Sequence, residues 1–258
     1  GRGAGRGDSV APVPPRRPHR LDRGPTDPAA GLGLATLARL TYDYTAAERL
    51  YRRLVPAEPG RDDRYAVHAL LGLAQGFDEY GRMAEVDGLL TRARTGAREL
   101  KDPAAEGEAL LWLGYVRARS HGLESGVAHE DSALRVLPER VPELRALARC
   151  RRAQLLVLLG RGERGAGLAG AEAFARSVGD PQAQAPCVRA RAIALGHRGR
   201  ADSAEALYGR FAEVLGRARE RSARATMLAW QAAVLREDLA DYGDALDVLR
   251  EAEAEARA

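Results

Sequence analysis

One run of glycines in the chain has a spacing known from nucleotide binding. Gly160, Gly162 and Gly165 follow the pattern G-x-G-x-x-G, and Asp180 lies twenty residues beyond Gly160. In a dinucleotide-binding fold this turn joins a β-strand to a helix whose N-terminus faces the pyrophosphate, and the later acid binds a ribose hydroxyl. The Leu-rich run before Gly160 predicts the end of a helix instead, and no other segment predicts a strand. We therefore expect a loose turn leading into a glycine-rich helix, and we keep a nucleotide-binding regulatory domain as the alternative function.

Histidines supply many catalytic bases and metal ligands, but those of this chain are scattered. None of the five has a catalytic or metal-binding motif around it: His19, His68, His121, His129 and His197. Because a turn is predicted between His121 and His129, these two do not share a helix face as the ligands of an H-E-x-x-H site do. We expect surface or turn histidines, no metal site, no cofactor and no enzymatic activity.

The two cysteines, Cys150 and Cys187, are equally isolated in the sequence. Neither has a C-x-x-C partner or a nearby pair of histidines, which excludes the usual spacings of a zinc site. Two cysteines also do not make a disulfide framework. We expect both to be small buried hydrophobic residues, since free cysteine is among the most buried residue types.

The charge of the chain is nearly balanced and almost all of its positive charge is arginine. Lysine and arginine total 40 against 36 acidic residues, and Lys101 is the only lysine, a bias that suggests a GC-rich bacterial genome. The charges alternate along the chain without a basic stripe, so we expect no specific nucleic-acid partner. No apolar run approaches the length of a membrane span. We expect a cytoplasmic protein, although the chain starts at Gly1 and an upstream signal could have been removed.

The composition divides the chain into two parts. Residues 1–27 are rich in proline, glycine and arginine and have almost no apolar periodicity, which predicts a disordered tail or linker. Residues 28–258 consist of long stretches of helix-forming residues separated by short turns. The last segment ends without a polar capping helix, so we expect the array to be truncated at its C-terminal end.

Within residues 28–258 a helical unit repeats. Each unit has a turn followed by a helix, and a small or short apolar residue recurs early in that helix: Ala47, Val86, Gly126, Gly165, Ala204 and Ala245. The steps between them are 39, 40, 39, 39 and 41 residues. A period in this range indicates a solenoid of helix pairs. Small residues such as Gly114 and Gly126 would let the two helices of a pair approach closely, and prolines mark the expected boundaries between pairs: Pro103, Pro138, Pro142, Pro181 and Pro186.

These units resemble the tetratricopeptide repeat (TPR) family. The segment 109–139 matches the family motif best, at Leu110, Leu113, Gly114, Gly126, Ala133 and Pro138. The units are about 40 residues long instead of 34, similar to repeats of bacterial signalling arrays and of CHAT-associated proteases and signalling ATPases. The fourth unit departs from the motif, with Arg151, Arg152 and Glu172 at or beside expected core positions.

The resemblance implies an all-α, right-handed superhelical solenoid of about six antiparallel helix pairs. It implies a protein–protein interaction scaffold or sensor array whose concave groove binds a peptide, a protein or another domain of the parent protein. A regulatory segment of a larger protease or signalling ATPase is a further alternative. The family's groove positions fall on His68, Leu71, Gln75, Tyr115, Arg119, Gln154, Arg189, Ile193, Trp230 and Val234. The lysine and asparagine of chaperone-binding TPRs are missing from the corresponding positions, so we expect no chaperone-tail receptor.

Overall fold

A computed structural model describes residues 27–79, 82–161 and 166–257, and every regular element in these ranges is an α-helix. The helices are α1 (Pro28–Leu40), α2 (Tyr44–Leu54), α3 (Arg64–Glu79), α4 (Met83–Glu99), α5 (Pro103–Ser120), α6 (Leu123–Val136), α7 (Pro142–Leu158), α8 (Ala166–Val178), α9 (Pro181–Gly196), α10 (Ala201–Arg217), α11 (Arg221–Glu237) and α12 (Tyr242–Arg257). They pair in chain order into six hairpins. The predicted all-α solenoid is confirmed. The tail predicted for residues 1–27 lies outside the described residues except for Asp27.

The stack of hairpins has a closely packed side and an open side. Each odd-numbered helix contacts the next odd-numbered one from α1 to α11, whereas within the described ranges no even-numbered helix contacts the next even-numbered one. A stack whose units approach more closely on one side bends toward that side. The odd-numbered helices, called the inner helices below, therefore line the concave face, and the even-numbered outer helices line the convex face.

Three inner helices begin with the same dipeptide, which gives each a local start signal. The pairs are Asp27-Pro28, Asp102-Pro103 and Asp180-Pro181, and each aspartate side chain accepts at least one hydrogen bond from an N–H group of the first turn. Proline is well suited to the first helical position because its missing N–H would have no partner there.

One boundary prediction is wrong. Pro186 lies inside α9, but the carbonyl it would have bonded belongs to Gln182 in the first turn, so the helix loses only a bond near its N-terminus.

Small residues allow close contact between the helices of the third hairpin, as the sequence predicted. A Cβ atom added to Gly126 would lie 2.7 Å from the Cβ of Ala118 and 3.1 Å from the carbonyl oxygen of Gly114. The equivalent apolar positions of other hairpins are buried: Ala47, Val86, Ala204 and Ala245. Gly165, the fourth position of this series, lies outside the described residues.

Replacing Gly126 by Val is expected to destabilise the protein, because α5 and α6 must separate to accept the side chain. We expect the free energy of unfolding to fall by about 1–3 kcal/mol in a urea titration followed by circular dichroism. Gly170→Val is the matched control, since a Cβ at this position in α8 would meet no atom within 4 Å. Equal losses in the two variants would show that close packing of α5 on α6 is not what requires glycine.

The fourth hairpin departs from the regular pattern. Inner helix α7 packs more extensively on the next inner helix, α9, than on its own partner α8. The contact surface consists of small side chains: Ala146, Cys150, Ala153, Ala183, Cys187 and Ala190. Small side chains let two helix axes approach closely. The glycine-rich helix α8 therefore lies at the periphery of its own repeat.

The sequence prediction for the cysteines is wrong in one respect. Both are buried as expected, but Cys150 and Cys187 form a disulfide that joins α7 to α9, with their Cα atoms 4.6 Å apart. The two residues are 37 positions apart, which is close to the repeat step. They therefore occupy nearly the same position on successive inner helices, and the close α7–α9 packing brings them within bonding distance.

Candidate functional site

Aromatic and arginine side chains from four consecutive inner helices form a continuous feature of the concave face. We call it the aromatic–arginine row: Trp112, Tyr115 and Arg119 on α5, Arg151 on α7, Arg189 on α9 and Trp230 on α11. All are half-buried except Arg119, which is exposed. The row exists because helices packed side by side present residues of equivalent register to the same face.

The α5–α7 half of the row is a cluster of stacked groups. The rings of Trp112 and Tyr115 meet edge to face with centroids 6.0 Å apart. The Arg151 guanidinium lies 4.9 Å from the Trp112 ring and 5.4 Å from the Tyr115 ring. Arg119 donates a hydrogen bond of 2.7 Å from Nη1 to the Tyr115 hydroxyl. Cation–π contacts of this kind hold a planar charge against an apolar surface.

In the α9–α11 half of the row, Arg189 stacks on Trp230, and Trp230 in turn contacts a buried tyrosine. The Arg189 guanidinium lies 4.3 Å from the Trp230 ring, and that ring is 6.0 Å from the ring of buried Tyr208. Burial raises the pKa of the Tyr208 phenol to about 12, so this group is uncharged near neutral pH. Burial also lowers the pKa of Arg189 below its ordinary value, while the two tyrosine hydroxyls of Tyr208 and Tyr115 act in the opposite direction.

The groove positions predicted from the sequence are only partly brought together. Tyr115, Arg119, Arg189 and Trp230 belong to the row, and Gln154 is half-buried on α7 one turn beyond Arg151. Ile193 packs against the α7–α9 core, and Val234 against the core of the last two hairpins. Leu71 was wrongly placed in the groove, because it is fully buried in the N-terminal core.

His68 and Gln75 lie on α3, at a separate and chemically different part of the inner helices. Gln75 donates a hydrogen bond of 3.2 Å from Nε2 to Oε1 of Glu108 on α5. Burial raises the pKa of the Glu108 carboxyl, while His68, the hydrogen bond from Gln75 and Arg39 oppose that shift. The inner face therefore has a desolvated carboxyl at its α3–α5 end, whereas the ionisable side chains of the aromatic–arginine row on α5, α7 and α9 include three arginines.

Two residues of the row, Trp112 and Arg151, were missed by the register argument. The signal for Trp112 was its spacing of three residues from Tyr115, which places both rings on one helix face. Arg151 was noted as an anomaly at a core position. Its Nη1 donates to the carbonyl oxygen of Leu111, and its guanidinium reaches the rings of Trp112 and Tyr115 on α5.

Most other arginines with charged partners connect neighbouring helices. Arg92 pairs with Asp62, just before α3, and the others pair with carboxylates on the preceding or following helix: Arg117 with Asp87, Arg152 with Asp131, Arg191 with Glu172, and Arg224 with Glu251 and Glu255. These pairs explain two anomalies of the fourth unit, since Arg152 and Glu172 are bridging residues. Because these arginine charges are paired with carboxylates, they do not form a continuous basic stripe on the described surface.

The glycine run at residues 160–165 does not lie in a nucleotide-binding context. The segment before Gly160 is helix α7, where the dinucleotide motif requires a strand, and Gly162 and Gly165 lie outside the described residues. Asp180, the candidate ribose ligand, accepts the N-cap hydrogen bond of 2.9 Å from Gln182. Its position twenty residues downstream therefore follows from its role as the start signal of α9.

The described ranges contain neither a candidate metal site nor a candidate membrane-spanning helix. No group of three His, Cys, Asp or Glu side chains there is arranged to hold a metal ion, and no helix there is long and apolar enough to cross a membrane. Among the histidines, His68, His121 and His197 are exposed. His129 is half-buried beside Arg117, at 3.2 Å from its Nη1, and is the exception to the predicted surface position.

Comparison with known proteins identifies the fold class. The chain is similar to the crystal structure of aspartyl phosphate phosphatase F from Bacillus subtilis, with a TM-score of 0.65 and 14% sequence identity. The similarity covers 93% of this chain and 61% of that protein's chain, so this chain spans less than two thirds of its length. No protein-family model matches the sequence, and no curated protein matches it. At this identity the likeness shows the fold alone, an all-α solenoid of helical repeats.

Proposed function

We propose that this protein is a scaffold or sensor array that binds a protein or peptide segment along the aromatic–arginine row of its concave face. The observation that carries the proposal is the row itself. Side chains from α5, α7, α9 and α11 present two tryptophans, a tyrosine and three arginines on one face. Tryptophan, tyrosine and arginine are the residues that most often dominate binding energy in protein interfaces.

The side chains of the row suit a binding surface energetically because they lose little conformational freedom when a ligand binds. Trp112, Tyr115 and Trp230 are already half-buried and held by stacking contacts, so a ligand need not order them. Their exposed edges offer apolar area, and the arginines offer directed N–H donors. A concave surface of this kind suits an extended or helical segment lying across successive inner helices.

The double variant Tyr115→Ala/Arg119→Ala is expected to lose ligand binding without losing the fold. Random dodecapeptides displayed on phage are selected on the parent protein, and individual peptides are titrated by fluorescence anisotropy. We expect the dissociation constant to rise by at least about 30-fold, the effect of removing a hot spot of about 2 kcal/mol. The helical circular dichroism signal should remain, because Arg119 is exposed and Tyr115 is only half-buried.

Arg176→Ala is the matched control, since Arg176 is an exposed arginine on outer helix α8. It should leave peptide binding within about twofold of the parent, as surface changes away from a contact usually do. Peptides that bind the double variant as tightly as the parent protein would show that the concave row is not the binding site.

A further inference from the structure

One arginine of the row has no partner that would neutralise it. None of the N–H donors of Arg189 makes a hydrogen bond, and no carboxylate lies within ion-pair distance of it, among the residues that the structure describes. Its contact is the ring of Trp230, and the ionisable groups that influence it are the phenols of Tyr208 and Tyr115. Neither residue supplies a carboxylate to Arg189.

Arg191, two residues further along α9, is a useful comparison. Its Nε and Nη2 atoms donate to both carboxylate oxygens of Glu172, at 2.9 and 2.6 Å. Arg191 therefore has the bidentate partner expected for a partly buried guanidinium. Arg189 instead stacks on Trp230 of α11, is influenced by Tyr115 of α5 and Tyr208 of α10, and has no carboxylate within ion-pair distance in the described part of the chain. A half-buried charge without a counter-ion is costly, and an anionic ligand would recover that cost.

We propose that the ligand of the groove is an acidic protein segment and that Arg189, which is stacked on Trp230, binds one of its carboxylates. The inference rests on the proposed function and specifies the charge of its ligand. Stacking on Trp230 occupies a face of the guanidinium, so the N–H groups in its plane stay available for a bidentate hydrogen-bonded pair. The exposed guanidinium of Arg119, which also has no carboxylate partner in the described part, extends the cationic surface toward α5.

The distribution of charge favours a peptide over a nucleic acid. Tight binding to a phosphate backbone requires several cations that are all free to contact phosphates. Many of the described arginines are instead paired with carboxylates, for example Arg117 with Asp87 and Arg152 with Asp131. The α3–α5 end of the inner face also carries Glu108, which would repel a continuous polyanion whenever it ionised. A segment with a localised acidic group fits this surface better.

The test uses the dodecapeptides selected on the parent protein. Each peptide is synthesised with its Asp or Glu residues changed singly to Asn or Gln, and with its C-terminus free or amidated. We expect one carboxylate per peptide whose removal weakens binding at least about tenfold, and we expect the same removal to change binding by less than about twofold in Arg189→Gln. Whether that carboxylate is a side chain or the C-terminus identifies its source. Arg176→Gln should keep the full tenfold effect.

The remaining outcomes separate this inference from the proposed function. If selected peptides depend on Tyr115 but no removal of a carboxylate weakens them, the acidic ligand is wrong while the groove stands. If no peptide depends on Tyr115, the groove itself is wrong. Replacement of the critical acid by phosphoserine, and binding of dodecauridylate RNA, are measured alongside. Tighter binding of either one that is lost in Arg189→Gln would overturn the carboxylate in favour of a phosphate.

Discussion

Reduction of the Cys150–Cys187 disulfide is expected to destabilise the protein by about 3–4 kcal/mol, the loop-closure contribution for a cross-link of this length. The bond connects residues 37 positions apart and joins two inner helices that belong to different hairpins. In the unfolded chain it restricts a loop that contains the whole of α8. We expect the urea midpoint, measured by circular dichroism, to fall when a reductant is added, with free thiols counted by mass spectrometry.

The variant Cys150→Ala/Cys187→Ala is the control for the reductant. It should unfold near the midpoint of the reduced parent protein and should not respond to reductant, because it has no bond to break. A parent protein that unfolds at the same urea concentration in its oxidised and reduced forms would contradict the expected contribution. Partner binding should be measured in both forms too, since the cysteines lie on the helices that carry Arg151 and Arg189.

A buried carboxyl should make stability depend on pH. Glu130 on α6 is fully buried, and neither of its carboxyl oxygens has a hydrogen-bond partner among the described residues. Burial raises its pKa from 4.5 to about 8, with Arg151 opposing the shift and Asp131 adding to it. Between these values the unfolded chain releases the proton while the folded chain keeps it. The free energy of unfolding therefore falls by about 1.4 kcal/mol per pH unit as the pH rises through this window.

Glu130→Gln is expected to remove that dependence, because an amide does not titrate. The variant and the parent protein should have similar stability near pH 4.5, and the variant should be more stable by on the order of 4 kcal/mol near pH 8. Urea titrations at several pH values measure the difference. Glu124→Gln on the same helix is the control, since Glu124 is exposed and should give a curve parallel to that of the parent. A Glu130→Gln curve that is also parallel would show that Glu130 does not hold its proton in the folded state.

The fold was predictable from the sequence because its signals are local and repeated. The recurrence of Ala47, Val86, Gly126, Gly165, Ala204 and Ala245 predicted six helix pairs, since a small or short apolar residue is needed where the two helices of a pair meet closely. The same register also placed Tyr115, Arg119, Arg189 and Trp230 on the inner helices. The prediction that Pro186 lies between helix pairs was wrong because a proline in the first turns of a helix and a proline between helices look alike in sequence.

What the sequence alone determined is the period, the helices and the face on which most of the row lies. Only the tertiary structure decided which side chains meet. The register puts Arg189 and Arg191 on different faces of α9 but does not give their partners, which are Trp230 for Arg189 and Glu172 for Arg191. The physical reason is that partners of long side chains depend on interhelical distance and rotation, and these are set by how closely small residues such as Cys150 and Ala153 let successive inner helices approach.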